Sequence, residues 1–170
     1  MIKNIDSINI TSKNVLIRAD FNVPIKDGII LSDFRLKAVL KTINFCLEKN
    51  AKVILMSHLG RPNGVESKLS LYPVFEYLRI KFPLNKVFFS DDCISDESIK
   101  KTNSIKNGEI HLLENLRFHN EELLNCEDFA FKLSNHGDVY INEAFGTSHR
   151  MHSSNSAILK FFDNKGIGFL

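Results

Sequence analysis

The sequence predicts an α/β fold in which helices cover both faces of a parallel sheet. Short apolar segments alternate with segments whose apolar residues repeat at helical spacing, which is typical of strand–helix–strand units. A length of 170 residues suits one domain, and no low-complexity linker divides the chain. Right-handed crossovers would then give a three-layer, doubly wound, Rossmann-like sheet. We therefore expect residues 1–170 to form a single domain of this class.

Six apolar segments are predicted to be strands. Turn signals follow the first two, at Lys26–Gly28 and at Gly60–Pro62. The predicted strands are Val15–Phe21, Lys52–Met56, Val87–Phe89, Ile110–Leu113, Asp138–Phe145 and Gly166–Leu170. Sheets of this kind bind ligands in the loops beyond the carboxyl ends of their strands, so a site is expected there.

Five intervening segments are predicted to be helical. Ser32 is a candidate N-cap for the first helix, whose apolar residues repeat from Leu36 to Leu47. Ser70 is a candidate cap for the second helix, which must end before Pro83. The other three predicted helices are Ser95–Lys101, Glu121–Asn135 and Ser154–Phe162.

Composition excludes several classes of function. A formal net charge of +2 lacks the strong basic excess of nucleic-acid-binding domains. No apolar run reaches about 18 residues, and the first residues lack the apolar core of a signal peptide, so we expect no membrane span and a cytoplasmic protein. Three widely spaced cysteines fit no zinc motif, so no metal site is expected. Cys46 is predicted to be a buried thiol within the first helix.

The arginines are few and unevenly placed. The 22 basic residues include only six arginines, and five of these fall near predicted strand ends or in the loops that follow. The five are Arg18, Arg35, Arg61, Arg117 and Arg150. Arginine grips phosphate or carboxylate with two parallel hydrogen bonds, whereas lysine is a point charge. The pattern therefore predicts a small, highly anionic ligand. The alternative, that each arginine is a separate surface charge or ion-pair partner, stays open.

The same loops carry other polar groups. Asp20 and Asn22 follow the first strand, and His58 and Gly60 follow the second. Asp20 has an alternative role as the structural partner of Arg18 or Arg35, and His58 could be an incidental loop histidine. The sequence contains neither G-x-x-x-x-G-K-[ST] nor G-x-G-x-x-G, so the usual nucleotide-binding loops are absent.

Taken in order, these loops resemble those of phosphoglycerate kinases. The matching segments are Val15–Pro24, Ser57–Pro62, Leu112–Phe118 and Asn142–Arg150, with Ser153 and Ser154 close behind. They read VLIRADFNVP, SHLGRP, LLENLRF and NEAFGTSHR, in the family's order and at its spacing. The resemblance covers essentially the whole chain and identifies it as the N-terminal, substrate-binding half of such an enzyme.

The resemblance implies reversible phosphoryl transfer between 1,3-bisphosphoglycerate and Mg-ADP, giving 3-phosphoglycerate and ATP in glycolysis. It places Mg-ADP or Mg-ATP in a C-terminal domain absent from this chain, so this half is expected to bind no cofactor itself. The enzyme is expected to be a monomer. The implied substrate-binding residues are Arg18, Asp20, Phe21, Asn22, Arg35, His58, Leu59, Gly60, Arg61, Arg117 and Arg150.

Within that set the resemblance implies different roles. Arg61, Arg117 and Arg150 hold the 3-phosphate with support from Arg18, and Arg35 is the catalytic residue that stabilises the group in flight. Because the attacking carboxylate is already ionised at neutral pH, no general base is required, and catalysis is positioning and charge neutralisation.

Two positions depart from the family's pattern. Glu143 stands where the family usually has aspartate, and Met151 where it has a smaller residue. We predict that Glu143 is a structural acid at a strand end. Two other hypotheses stay open: a non-catalytic fragment that only binds 3-phosphoglycerate, and a purely structural domain whose arginines form ion pairs.

Overall fold

The computed structural model describes all residues 1–170 and confirms the α/β fold class. Its main sheet has seven strands, and every neighbouring pair is parallel. In chain order these are β1 (Lys3–Asn4), β2 (Asn14–Arg18), β5 (Lys52–Met56), β6 (Val87–Ser90), β7 (Ile110–Leu113), β8 (Val139–Asn142) and β9 (Lys165–Ile167). A separate antiparallel hairpin joins β3 (Ile25–Lys26) to β4 (Ile29–Ile30).

The strand boundaries correct three predictions. Strand β2 ends at Arg18 and β8 at Asn142, so the residues predicted to continue these strands belong to loops. The last strand is Lys165–Ile167, and it pairs on its outer side with β1, which was not predicted. Two residues are too few to show a strand periodicity, and β1 forms because β9 offers it a parallel edge.

Four α-helices accompany the sheet: α1 (Phe34–Glu48), α2 (Tyr72–Lys81), α3 (Asp96–Ser104) and α4 (Glu127–Ser134). Ser95, predicted as the first residue of its helix, is instead the N-cap of α3, because its hydroxyl accepts from the Ser98 amide at 3.1 Å. Helix α1 begins after Asp33 rather than after Ser32. None of the helices is both long enough and apolar enough to cross a membrane.

Two predicted helices were wrong in extent or type. The segment predicted from Glu121 begins in a 3₁₀ turn at Asn120–Glu122 and is α-helical only from Glu127, and the segment predicted over 154–162 is a 3₁₀ run at Ala157–Phe161. Asn125 interrupts the first with a φ of 51°, and its side chain accepts from the Ala157 amide. Polar side chains that bond to nearby backbone compete in this way with helix formation.

The sheet separates two cores of different composition. Alternate strand residues such as Val15 and Ile17 face α1 and α2 in a core of 23 buried hydrophobic residues, which we call the apolar face. Their neighbours, such as Leu16 and Tyr140, face α3, α4 and the 3₁₀ run in a core of 14 buried hydrophobic residues, which we call the mixed face. Cys46 is buried in the apolar face, as predicted.

Sheet order brings the predicted loops together. Strands β8, β2, β5 and β7 are adjacent in that order. Arg18 at the end of β2 lies in register with Met56 of β5 and with Asn142 of β8. Because the strands are parallel, the loops that follow all four emerge at one edge of the sheet.

Candidate anion-binding site

The loops at that edge surround a polar cavity of about 260 Å³, which we call the basic cavity. None of its ten lining residues is hydrophobic, and four are arginines. The lining residues are Asp20, Asn22, Arg35, His58, Gly60, Arg61, Arg117, Gly146, Thr147 and Arg150. A larger cavity of about 430 Å³ lies between the first residues and the last strand, with seven hydrophobic residues among its thirteen. Of these two cavities, the basic cavity is the one that combines concentrated charge with converging polar groups.

Arg35 is the one cavity arginine that is paired with an acid. Its Nη1 donates to Asp20 Oδ1 at 3.2 Å and to the Asn22 carbonyl at 3.1 Å. Asp20 Oδ1 also accepts from the Asn22 amide at 3.1 Å. The structural role left open for Asp20 is therefore met by Arg35, and not by Arg18. The Arg35 side chain is 51% exposed, which places it at the rim of the cavity.

Arg61, Arg117 and Arg150 form no ion pair with a carboxylate. Arg117 is buried, and its Nη1 donates to the Gly60 carbonyl at 2.9 Å, while its Nε is buried without a partner. Burial, and then repulsion from Arg18 and Arg150, lowers the pKa of Arg117. Positive charge is thus concentrated here with no carboxylate in contact with these three arginines, and an anion would relieve the repulsion between them.

His58 is the only histidine among the residues that line the cavity. It is 3% exposed, and its Nδ1 lies 2.9 Å from Arg18 Nη2. Burial, and then the charges of Arg18 and Arg117, lowers the pKa of His58 to about 2. His58 is therefore neutral at physiological pH and meets an anion as a hydrogen-bonding group.

Backbone geometry shapes the loop that follows β5. Gly60 has a φ of +63°, and a Cβ there would lie 2.9 Å from a methyl carbon of Leu69. Its amide donates to Asn22 Oδ1 at 2.9 Å. Asn115 supports the same loop: its Oδ1 accepts from the Leu59 and Arg117 amides, and its Nδ2 donates to the Leu59 carbonyl. This loop is therefore fixed by side-chain bonds from two other strand ends.

One cluster elsewhere has groups that could hold a metal. Ligand atoms of Asp92, Cys93 and His119 all lie within 4.8 Å of one another. Asp92 already forms an ion pair with His119, and burial raises the pKa of the Cys93 thiol well above its usual value. Metals bind the thiolate, so this environment disfavours a metal site.

A family model described as phosphoglycerate kinase matches residues 5–170. The chain belongs to the phosphoglycerate kinase family. The phosphoglycerate kinase of Elusimicrobium minutum is 49% identical over 170 residues, which are 99% of this chain and 42% of that protein. That of Borrelia hermsii is 44% identical over 99% of this chain and 43% of its own length. The chain thus spans less than half the length of these relatives.

Solved structures of the phosphoglycerate kinase family share the fold. The enzyme from Coxiella burnetii matches with a TM-score of 0.89 at 31% identity, over 99% of this chain and 42% of that one. The enzyme from Pyrococcus horikoshii matches with a TM-score of 0.88 at 34% identity, over 100% of this chain and 43% of that one. These alignments confirm the predicted Rossmann-like sheet.

The structure brings together most of the residues carried over from phosphoglycerate kinases. Eight line the basic cavity: Asp20, Asn22, Arg35, His58, Gly60, Arg61, Arg117 and Arg150. Arg18, Phe21 and Leu59 do not line it, and all three are buried. The Phe21 amide donates to Ser57 Oγ and the Leu59 amide to Asn115 Oδ1, so both support the loops. Their contact with substrate stays a prediction.

Sequence reasoning assigned no role to four polar residues at this edge. Gly146 and Thr147 line the cavity, and their place in the segment that ends at Arg150 was the available signal. Asn115 lay in a matching segment as well, but its four hydrogen bonds could not be foreseen. Glu122, fully buried behind the cavity, gave no signal, because it follows another glutamate in a polar segment.

Proposed function

We propose that this chain supplies the 3-phosphoglycerate site for reversible phosphoryl transfer between 1,3-bisphosphoglycerate and Mg-ADP. The observation that carries the proposal is the convergence of Arg61, Arg117 and Arg150 on one polar cavity without an ion-pair partner. A phosphate group offers three charged acceptor oxygens, and arginine forks bind these in pairs. Among the four arginines of the cavity, the alternative in which the arginines form internal ion pairs applies only to Arg35.

The two ends of the cavity suit the two ends of the substrate. The three unpaired arginines bind the 3-phosphate, and the Asp20–Asn22 and His58–Gly60 segments meet the glycerate end. Arg35, at the rim, is the catalytic residue that neutralises charge on the transferring group. It is held by Asp20 across a partly exposed contact of 3.2 Å, so its guanidinium is placed but still accessible. Phosphoryl transfer depends on such positioning and charge neutralisation.

The described residues do not fit a Mg-nucleotide. Asp20 is the only carboxylate that lines the basic cavity, and it is engaged by Arg35 and by the Asn22 amide. A protein that binds a Mg-nucleotide usually offers the metal one or two free carboxylates in addition to the nucleotide phosphates. We assign the Mg-ADP and Mg-ATP site of the reaction to the part of the relatives that this chain does not cover. By itself, residues 1–170 form a binding domain without turnover.

Titration of the ¹⁵N-labelled chain with 3-phosphoglycerate tests the binding half of this proposal. Saturable amide shifts are expected in the loops at 20–22, 58–61 and 146–150, with weak affinity because an open site leaves each charged contact screened by water. Glycerate without the phosphate is the matched control, and its shifts should be much smaller. Spectra that do not respond to 3-phosphoglycerate would remove the substrate assignment.

A coupled assay with 1,3-bisphosphoglycerate and Mg-ADP tests the other half. No turnover is expected from the 170-residue chain, because nothing presents a nucleotide in line with the substrate and no second domain closes to exclude water. Nucleotide-dependent turnover by the purified chain would overturn this division of labour.

A further inference from the structure

Arg18 is fully buried directly behind the basic cavity, and no ion pair neutralises it. Its three guanidinium nitrogens are all used. Nε donates to Ser154 Oγ at 2.7 Å, Nη1 donates to the Ala19 carbonyl, and Nη2 lies 2.9 Å from His58 Nδ1. A buried cation with this many directed bonds holds its neighbours in a defined geometry.

The contact with His58 determines where the imidazole proton sits. A guanidinium has hydrogen-bond donors and no acceptor, so His58 Nδ1 must be the acceptor in this pair. A neutral imidazole that accepts at Nδ1 carries its hydrogen on Nε2. His58 lines the cavity, and its Nε2 has no hydrogen-bond partner within the chain. This atom is not among the polar atoms that are buried without a partner, so it is accessible. The Nε2–H group is therefore free to donate to a ligand in the cavity.

Glu122 is linked to Arg18 through one intermediate residue, Ser154. Glu122 is fully buried, and its two oxygens accept from the Ser154 amide at 2.7 Å and from Ser154 Oγ at 2.6 Å. Ser154 Oγ thus donates to Glu122 while it accepts from Arg18 Nε. The Tyr140 hydroxyl donates to the Ser154 carbonyl and fixes this residue from the sheet. The bonds form a continuous chain from Glu122 through Ser154 and Arg18 to His58.

We infer that Arg18 is a positioning residue that fixes His58 as the neutral Nε2–H tautomer, and that Glu122 and Ser154 hold Arg18 in place for this purpose. His58 then serves the cavity as a directed donor to an anionic oxygen. The identity of that anion rests on the proposed function, whereas the tautomer does not. The groups that face His58 are Arg18, Arg117, Arg150 and His152, and none of them offers a negative charge to stabilise an imidazolium.

Long-range ¹H–¹⁵N correlation spectra of the histidine rings in the 170-residue chain test the inference without any substrate. His58 is identified by the signals lost in His58→Gln. At pH 7, and still at pH 5.5, Nδ1 should have the shift of an unprotonated nitrogen and Nε2 that of a protonated one. A protonated Nδ1, a mixture of tautomers, or titration near the ordinary histidine pKa would overturn the inference.

Substitutions of the residues in this hydrogen-bonded chain test the role of Arg18. In Arg18→Met combined with Glu122→Gln, which removes both buried charges together, His58 should become a mixture of tautomers. Ser154→Ala alone should shift the His58 signals in the same direction by less. Arg79→Met, on an exposed face of α2, is the control and should leave His58 unchanged. If His58 keeps a single tautomer in the double variant, Arg18 does not fix it.

Sulfate is a suitable anion probe, because its charge is constant from pH 5.5 to pH 8. Its addition should shift His58 Nε2 more than Nδ1. If sulfate shifts only the signals of the loops that carry Arg61, Arg117 and Arg150, His58 does not donate to an anion. That result would overturn the donor role of His58 even if its tautomer is the one inferred. The proposed function fails separately, if 3-phosphoglycerate leaves the spectra unchanged while the His58 tautomer is as stated.

Discussion

The two faces of this sheet are built from the same strands and use different kinds of interaction. On the apolar face, the inward residues of β2, β5, β7 and β8 are all aliphatic. On the mixed face, the intervening positions include the buried polar side chains Arg18, His111 and Tyr140. A one-residue step along β2, β7 or β8 therefore moves from a core of aliphatic side chains to one that includes titratable side chains. The alternation of side chains along a strand makes this division possible.

A hydrogen-bonded chain crosses the mixed face away from the basic cavity. His136 Nε2 lies 2.8 Å from the Cys93 carbonyl and must donate to it. His136 Nδ1 then accepts from Thr102 Oγ1 at 2.7 Å, and Thr102 Oγ1 accepts from His111 Nδ1 at 2.9 Å. His111 Nε2 accepts from Ser90 Oγ at 2.7 Å. This arrangement gives every ring nitrogen a partner with both histidines neutral, which is the form that burial favours.

The apolar face should show the largest response to a single substitution. Leu55→Ala removes a fully buried side chain from β5 and should lower the free energy of unfolding by about 2–5 kcal/mol. Leu124→Ala, at a residue that is 67% exposed, is the control and should change it by less than about 0.5 kcal/mol. Urea unfolding measures both. Equal effects would mean that the apolar face does not carry the stability assigned to it.

Substitution of a cavity arginine should change the affinity for 3-phosphoglycerate and leave the free energy of unfolding unchanged. Arg61→Lys retains the charge but loses the two-pronged geometry, so 3-phosphoglycerate should bind roughly tenfold to a hundredfold more weakly, since a charge-assisted bond contributes about 1.5–3 kcal/mol. Arg79→Lys is the matched control on α2. Calorimetry that finds the same effect for both variants contradicts the assignment of the site.

Acid should weaken the mixed face selectively. Burial lowers the pKa of His111 to about 3 and that of His136 to about 4, from an ordinary value of 6.5. The unfolded chain therefore binds more protons as the pH falls below 6.5, so this stability is present above that pH and is lost progressively down to about pH 4 for His136 and about pH 3 for His111. Between pH 6.5 and pH 5.5 the two histidines together should remove about 2 kcal/mol.

Groups around the two imidazole rings also change the pKa values of His111 and His136. Lys101 further lowers the pKa of His111, whereas Asp92 and the Cys93 carbonyl partly raise that of His136. His136→Gln keeps a donor toward Cys93 but cannot titrate, so it should reduce the slope of stability against pH. Chemical denaturation at a series of pH values measures the slope. The same slope in His136→Gln as in the unaltered chain would exclude this origin.

The central strands and the loops of the basic cavity could be predicted from the sequence. The hydrogen bonds between buried polar side chains could not. The apolar runs at Val15 and Lys52 predicted the central strands, and the motifs around Arg61 and Arg150 predicted the cavity, because both signals are local. Glu122 and Ser154 are separated by 32 residues, and their bond depends on how α4 and the 3₁₀ run pack. Strand β1 escaped detection for the same reason, since its partner lies at the far end of the chain.

The smallest effect is expected at Glu143, which joins the end of β8 to the apolar face. Its Oε1 accepts from Thr42 Oγ1 of α1 and from the Phe169 amide, and burial raises its pKa. Gly168 leaves room for the longer acid, because a Cβ there would overlap the carboxylate. Glu143→Asp should shift thermal stability by about 1 kcal/mol and barely change 3-phosphoglycerate affinity. A large loss of affinity with unchanged melting contradicts this role.

The strand order also decides when the cavity can exist during folding. The loops after β2 and β8 meet because these strands are adjacent, although Arg18 and its partner Ser154 are 136 residues apart in the chain. Bringing together segments this far apart costs more conformational entropy than pairing neighbouring strands, and such non-local contacts slow folding. A folding intermediate that lacks β8 has no wall at Gly146 and Thr147 and no Arg150 in place. Anion affinity is therefore acquired only with the complete sheet, and binding selects fully folded molecules over partly folded ones.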